Sequence, residues 1–234
     1  MQLQPYFTPS GDGFRFTREQ ACTFAKQVAD DFNPIHDVSA TRFCVPGDLL
    51  FAVALSHLGL SPSMEIRFAD MVGDGVSLHL QHADDGQVNV QDADGKTYLY
   101  IKSAGEKSLD PAIISRFTQE YVAFSGKTFP HVLVPLWQEH GVMINTARPL
   151  VIYESMHLAL DTLEFTSPTL ELSGATLDVD GKRGHVRLAF DFKEGDRHLG
   201  QGEKRMVLSG LKPYDQEAID GLIAFYNHRK ETLG

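Results

Sequence analysis

Asp31, Asn33, Pro34, Ile35 and His36 fall within six consecutive residues, and they bring a carboxylate and an imidazole onto one short turn. A carboxylate and an imidazole held by a rigid Asn-Pro turn can grip a single water molecule between them, which is general-base chemistry. Asn33 is suited to fix that turn by bonding locally through its side chain. Further on, Pro46-Gly47 opens a strongly apolar segment. A glycine at the start of a buried helix can aim its backbone N–H, with the helix dipole behind it, at a carbonyl oxygen. Adding water across a double bond conjugated to a thioester needs both parts: a base for the water and stabilisation of the enolate oxygen. The same residues can also make nothing more than a capped turn, since Asn-Pro is common in turns.

The elements that must position these residues follow from periodicity. Residues 18–30 place Ala21, Phe24, Ala25 and Val28 on one helical face, with Thr17 as a cap. Asn33-Pro34 ends that helix, because the residue before proline avoids the α region. Residues 47–58 are apolar nearly all round, which predicts a buried helix ended by Gly59. Strands are expected at 64–71, 76–82, 87–91 and 97–103, separated by Gly-Asp turn signals. The order then recurs: a helix from Asp110-Pro111, an apolar helical segment over 131–140, and strands at 155–166, 169–179, 185–193 and 202–209. A last helix closes the chain. Helices followed by an antiparallel run of strands, twice, give an α+β fold with an internal repeat and a boundary between 1–109 and 110–234.

The segment over residues 24–55 resembles the signature of the MaoC-like, R-specific enoyl-CoA hydratases (hydratase 2). Their motif reads Tyr or Phe, a spacer, then Gly-Asp-x-Asn-Pro-Ile/Leu/Val-His. Here Phe24 and Ala25 stand upstream, and Asp31, Asn33, Pro34, Ile35 and His36 match the motif. The resemblance implies a hot-dog fold, a helix wrapped by a curved antiparallel sheet, and the repeat makes it a double hot-dog. It implies that Asp31 and His36 are catalytic, activating water and shuttling its proton, while Gly47 gives the oxyanion contact and Asn33 positions the turn. Residues 64–80 are similar to the family's strand pair after the central helix, with a small turn at Gly73. Three features depart from the pattern. Asp30 stands where glycine is usual, the stretch from His36 to Gly47 is short, and Pro46 replaces a frequent histidine.

In the second half, residues 120–135 read as a weathered copy of the same signature. Aligned on Pro130, Lys127 takes the place of Asp31, Phe129 that of Asn33 and Val132 that of His36, behind Ser125-Gly126. A charged lysine cannot act as the base and valine cannot hold water. One site per chain is therefore expected, walled by the 110–234 half.

Composition narrows the alternatives. The net charge of −10 argues against binding nucleic acid or an anionic membrane surface. Lys204, with Lys182, Arg183, Arg187, Arg197 and Arg205, is expected on a solvated strand face because acids interleave with it. The two cysteines, Cys22 and Cys44, are too few for a disulfide framework. Cys44, just ahead of the central helix, is either a reactive thiol or a small buried residue, the latter being preferred. His57, His79, His82, His157, His185 and His198 lack ligand spacing. The expected protein is cytoplasmic and uses no cofactor and no metal. Its expected partner is an acyl-CoA or acyl-carrier thioester, and single hot-dog relatives imply pairing as a homodimer. Two readings stay beside hydration: a noncatalytic acyl-thioester binder or regulator, and a hot-dog thioesterase.

Overall fold

A computed structural model describes all 234 residues. Two short strands, β1 (Thr8–Ser10) and β2 (Gly13–Arg15), form a hairpin that precedes helix α1 (Arg18–Gln27). A capping box, in which Thr17 and Gln20 bond each other's backbone N–H, starts α1, and Ala21, Phe24 and Ala25 are its buried face. A 3₁₀ turn, Pro34–His36, leads towards α2 (Gly47–Leu58), buried without a break from Asp48 to Leu55. Gly59 ends α2 at φ 87°, a conformation that favours glycine. Strands β3 (Ser63–Phe68), β4 (Leu78–His82), β5 (Val88–Asp92) and β6 (Thr97–Ala104) follow.

The second half repeats the order. Asp110 caps α3 (Pro111–Gly126) through Ala112 N–H at 2.8 Å, with proline at the first helical position. Then come α4 (Leu133–Glu139), β7 (Val142–Met143), β8 (Val151–Leu160), β9 (Thr169–Asp180), β10 (Arg183–Glu194), β11 (Arg197–Ser209), β12 (Lys212–Pro213) and α5 (Gln216–Leu233). Ten strands form one antiparallel sheet in the order β1-β2-β4-β5-β6-β3-β8-β11-β10-β9. The two halves meet where β3 pairs with β8, Ile66 opposite Met156, so the hydrogen-bonded layer runs unbroken across the chain. The result is an α+β double hot-dog.

Two apolar cores lie on the helical side of this layer. The larger surrounds α2 and recruits Phe117 and Tyr121 of α3 and Phe190 and Phe192 of β10. The smaller joins Leu133, Leu136 and Trp137 of α4 to Leu177, Val186, Leu188, Met206 and Leu208 of the sheet. Three differences from the sequence reading stand out. The hairpin β1–β2 was not expected, since three-residue strands leave no periodic signal. Strands β3 and β4 both form but are not neighbours, because β5 and β6 lie between them in the sheet. Lys204, expected on a solvated face, is fully buried. On β11 side chains alternate between faces, and position 204 is in phase with Met206 and Leu208, whose side chains point inward. No helix is long and apolar enough to cross a membrane.

Candidate active site

Local bonds shape the turn that brings Asp31 and His36 together. Asp30 adopts φ 53°, the left-handed region that the glycine of the resembling motif takes freely. Its carboxylate is exposed and pairs with Lys230 of α5, and its carbonyl accepts from the Tyr226 hydroxyl at 2.9 Å. Asp31 Oδ1 accepts the Asn33 N–H at 2.8 Å, and Asn33 Oδ1 accepts the Ile35 N–H at 3.1 Å. These two bonds orient the 3₁₀ turn so that Asp31 Oδ2 lies 3.5 Å from His36 Nε2. His36 Nδ1 lies 2.7 Å from the carbonyl of Cys44. A carbonyl only accepts, so Nδ1 carries a proton and Nε2 is the nitrogen that titrates. The Asp31 side chain is 30 % exposed and that of His36 12 %, so the pair borders solvent on the carboxylate side.

Electrostatics bind the pair together. Burial alone would push the imidazole down, but the bond to Asp31, its charge and the Cys44 carbonyl raise His36 above its usual value. Burial alone would push Asp31 up, but His36, the Asn33 N–H and the positive charge of Lys204 hold it low. Cys44 is not a reactive thiol, because burial pushes it up to about 12.

The short connection from His36 to Gly47 is well tied. Cys44 N–H bonds Ile35 O at 3.1 Å, and Arg18 Nη1 donates to the carbonyls of Val38 and Ala40, both at 2.8 Å. Helix α5 clasps the same loop. Arg229 Nη2 reaches both oxygens of Asp37 at 2.7 and 2.6 Å, its Nε donates to Phe32 O at 2.8 Å, and Lys26 joins Asp37 at 2.9 Å. Charge-assisted bonds of this kind are worth about 1.5–3 kcal/mol, and we expect Arg229→Gln to lower stability by about that much. Thermal unfolding of the full chain checks this. An unchanged midpoint would mean that α5 merely rests on the loop.

Gly47 is the first residue of α2, and no side chain caps that helix. Leu49 and Leu50 N–H both bond Pro46 O, whereas the Gly47 and Asp48 N–H groups meet no acceptor in the protein. A β-carbon at 47 would come within 3.0 Å of the Tyr153 ring and 3.2 Å of Phe68, so the two rings pack directly on the glycine. Behind it lies a buried polar cluster that the sequence reading missed. Lys204 Nζ is 3.2 Å from Asp48 Oδ1 and 2.5 Å from Ser125 Oγ. The Tyr153 hydroxyl is 2.9 Å from Ser125 Oγ and 3.3 Å from Asp48 Oδ2. In the second half, Lys127 and His131 are exposed and Phe129 packs on Trp137 and Tyr226. No cluster of three or more His, Cys, Asp or Glu side chains is arranged to hold a metal.

The chain is similar to several solved structures. A conserved protein of unknown function with a hot-dog fold from Alicyclobacillus acidocaldarius superposes with a TM-score of 0.50 at 11% identity, covering 91% of this chain and 98% of its own. A tesB protein from Mycobacterium avium subsp. paratuberculosis gives 0.47 at 9%, covering 87% and 95%. A MaoC-like dehydratase gives 0.45 at 9%, covering 89% and 99%. These likenesses concern the fold alone. No curated protein sequence matches the chain. One family model spans residues 1–217, so the chain belongs to the family described as "Protein of unknown function (DUF3581)".

Proposed function

We propose that the protein is an acyl-thioester enzyme that hydrates a trans-2-enoyl thioester to the 3-hydroxyacyl thioester, or runs the reverse dehydration. The observation that carries this reading is the orientation of His36, whose Nδ1 is spent on Cys44 O while Nε2 faces Asp31 Oδ2 at 3.5 Å. A water held between the two gives its proton to Nε2 and its oxygen to C3 of the substrate. The electron pair of the double bond moves towards the thioester carbonyl. The oxygen that gains charge is met by the Gly47 N–H at the positive end of α2. The proton then returns from the imidazolium to C2, so the addition balances without a cofactor or a metal.

In this reading the catalytic residues are Asp31 and His36, Gly47 supplies the oxyanion contact and Asn33 positions the turn. The chain divides into an N-terminal hot-dog, 1–109, that carries the site and a C-terminal one, 110–234, that supports it. The exposed Lys127 and His131 and the packed Phe129 support one site per chain. Loss of the enoyl-thioester absorbance of crotonyl-CoA, and of longer enoyl-CoAs, tests the reaction. We expect it to fall to an equilibrium value with no free thiol. Thiol release would identify a thioesterase instead, and no change with any chain length would favour a binder. A nonhydrolysable enoyl-CoA analogue should saturate at one equivalent per chain, and saturation at two would give the second half a site of its own.

A further inference from the structure

Three of the helices, α1, α3 and α5, begin with a side chain that accepts from their own first-turn N–H groups: Thr17, Asp110 and Asp215. Helix α2 carries Asp48 as its second residue and yet has no such cap. A carboxylate in the first turn is attracted to the free N–H groups and the dipole there. Here both of its oxygens are engaged elsewhere, Oδ1 by Lys204 and Oδ2 by the Tyr153 hydroxyl. Lys204 is itself held by Ser125 Oγ and by the Tyr153 ring, whose centroid is 3.5 Å from Nζ.

We propose that Lys204 is a positioning residue of the site: it draws the Asp48 carboxylate off the start of α2, so that the Gly47 and Asp48 N–H groups stay free for a thioester carbonyl oxygen. This rests on the acyl-thioester reading above. A lysine within the apolar inward row of β11 is costly to bury, and a pair of apolar residues would fill the space as well. Its placement therefore calls for a reason beyond packing. A second polar group beside Lys204 lacks a hydrogen-bond partner. The Tyr121 hydroxyl is fully buried with no hydrogen-bond partner at normal distance; burial and the nearby Asp48 carboxylate keep it protonated, and its ring centroid lies 5.1 Å from Lys204 Nζ. With Asp48 paired to Lys204, the start of α2 has no uncompensated charge and suits a neutral carbonyl oxygen better than a resting anion. As that oxygen becomes an enolate, free N–H donors stabilise it more than they do the ground state.

The test combines turnover with a readout independent of it. In full-length Lys204→Met, Asp48 loses its cation and turns to its own helix. We expect kcat with crotonyl-CoA to fall by about 10²–10³-fold while KM changes little, the scale of losing an oxyanion donor. The double variant D48L/K204M has no carboxylate to occupy the site, and its kcat should recover to within about tenfold of the unaltered protein. In ¹⁵N-labelled protein, the Gly47 and Asp48 amide protons should shift downfield in K204M, and the Gly47 amide should return in D48L/K204M. Should K204M not fold, Tyr153→Phe removes only the hydroxyl that holds Asp48 Oδ2, and it should move the same amides the same way by less. Amides that stay in place in these variants overturn the proposal, whatever the turnover. Amides that move as described, in a protein that hydrates no thioester, uphold the positioning role and overturn the functional reading instead.

Discussion

Asp31→Asn will lower turnover of an enoyl thioester by about two to four orders of magnitude, the usual scale for a general-base group. The residual activity will also rise at a lower pH than that of the unaltered protein. In the proposed reaction His36 can act as a base only while Nε2 is unprotonated, and Asp31 holds the imidazole above its usual value. Turnover of the unaltered protein therefore climbs on the alkaline side of that raised pKa. With asparagine at 31, burial is left to push the imidazole down, and the limb moves towards acid. If the two groups act on one water as proposed, D31N and H36A should not add: the double variant is expected to be no slower than the worse single one.

Stability follows the opposite course. The raised His36 contributes stability that is fully present below its unfolded value of 6.5 and is lost as pH rises through its folded pKa. The lowered Asp31 contributes stability present above 3.8 and lost as pH falls through its folded pKa. The difference in unfolding free energy between the protein and D31N should therefore be greatest between those two values, where turnover is low. A D31N variant with turnover and pH profile unaltered would make the motif a structural turn.

The Asp31–His36 pair was legible because the bonds that shape its turn are local. The Asn33 Asx bond, the proline and the carbonyl of Cys44 lie within a few residues of it. Helices α1, α2 and α3 were legible from apolar spacing, and the long strands from turn signals and alternation. The position of β3 between β6 and β8 was not, since a strand's partner depends on residues far away in the chain. Lys204 lay between these cases. Its phase with Met206 and Leu208 was visible, but the charged neighbours Glu203 and Arg205 drew the segment towards a solvated reading. These neighbours pair with each other on the outer face instead. Asp48 gave no signal, because an acid in the first turn of a helix is ordinary. Its partner is 156 positions away, across the junction of the two halves. Helix α5 was expected, but nothing in its residues told that Tyr226, Arg229 and Lys230 would meet residues 30–37.

The buried pair gives the last expected result, a reversal of sign within one set of variants. Lys204 is wholly enclosed and Asp48 nearly so, which leaves no water to solvate either charge. Removing one partner strands the other, and breaking such a pair costs about 3–5 kcal/mol. Lys204→Met and Asp48→Leu should each lower stability by that amount, measured by urea unfolding with unchanged m-values. Replacing both removes the two desolvation costs together, and D48L/K204M is expected to be as stable as the unaltered protein or more so, by up to about 1–4 kcal/mol. Ser125 and Tyr153 temper the gain, because their hydroxyls lose partners while keeping each other at 2.9 Å. The coupling energy from this cycle also separates two origins for the cluster. If the double variant were as unstable as the singles, Lys204 would owe its place to joining β11 to α2. If it is stable, the fold has no need of the ion pair, and the charge at the start of α2 is explained by what the free N–H groups of Gly47 and Asp48 receive.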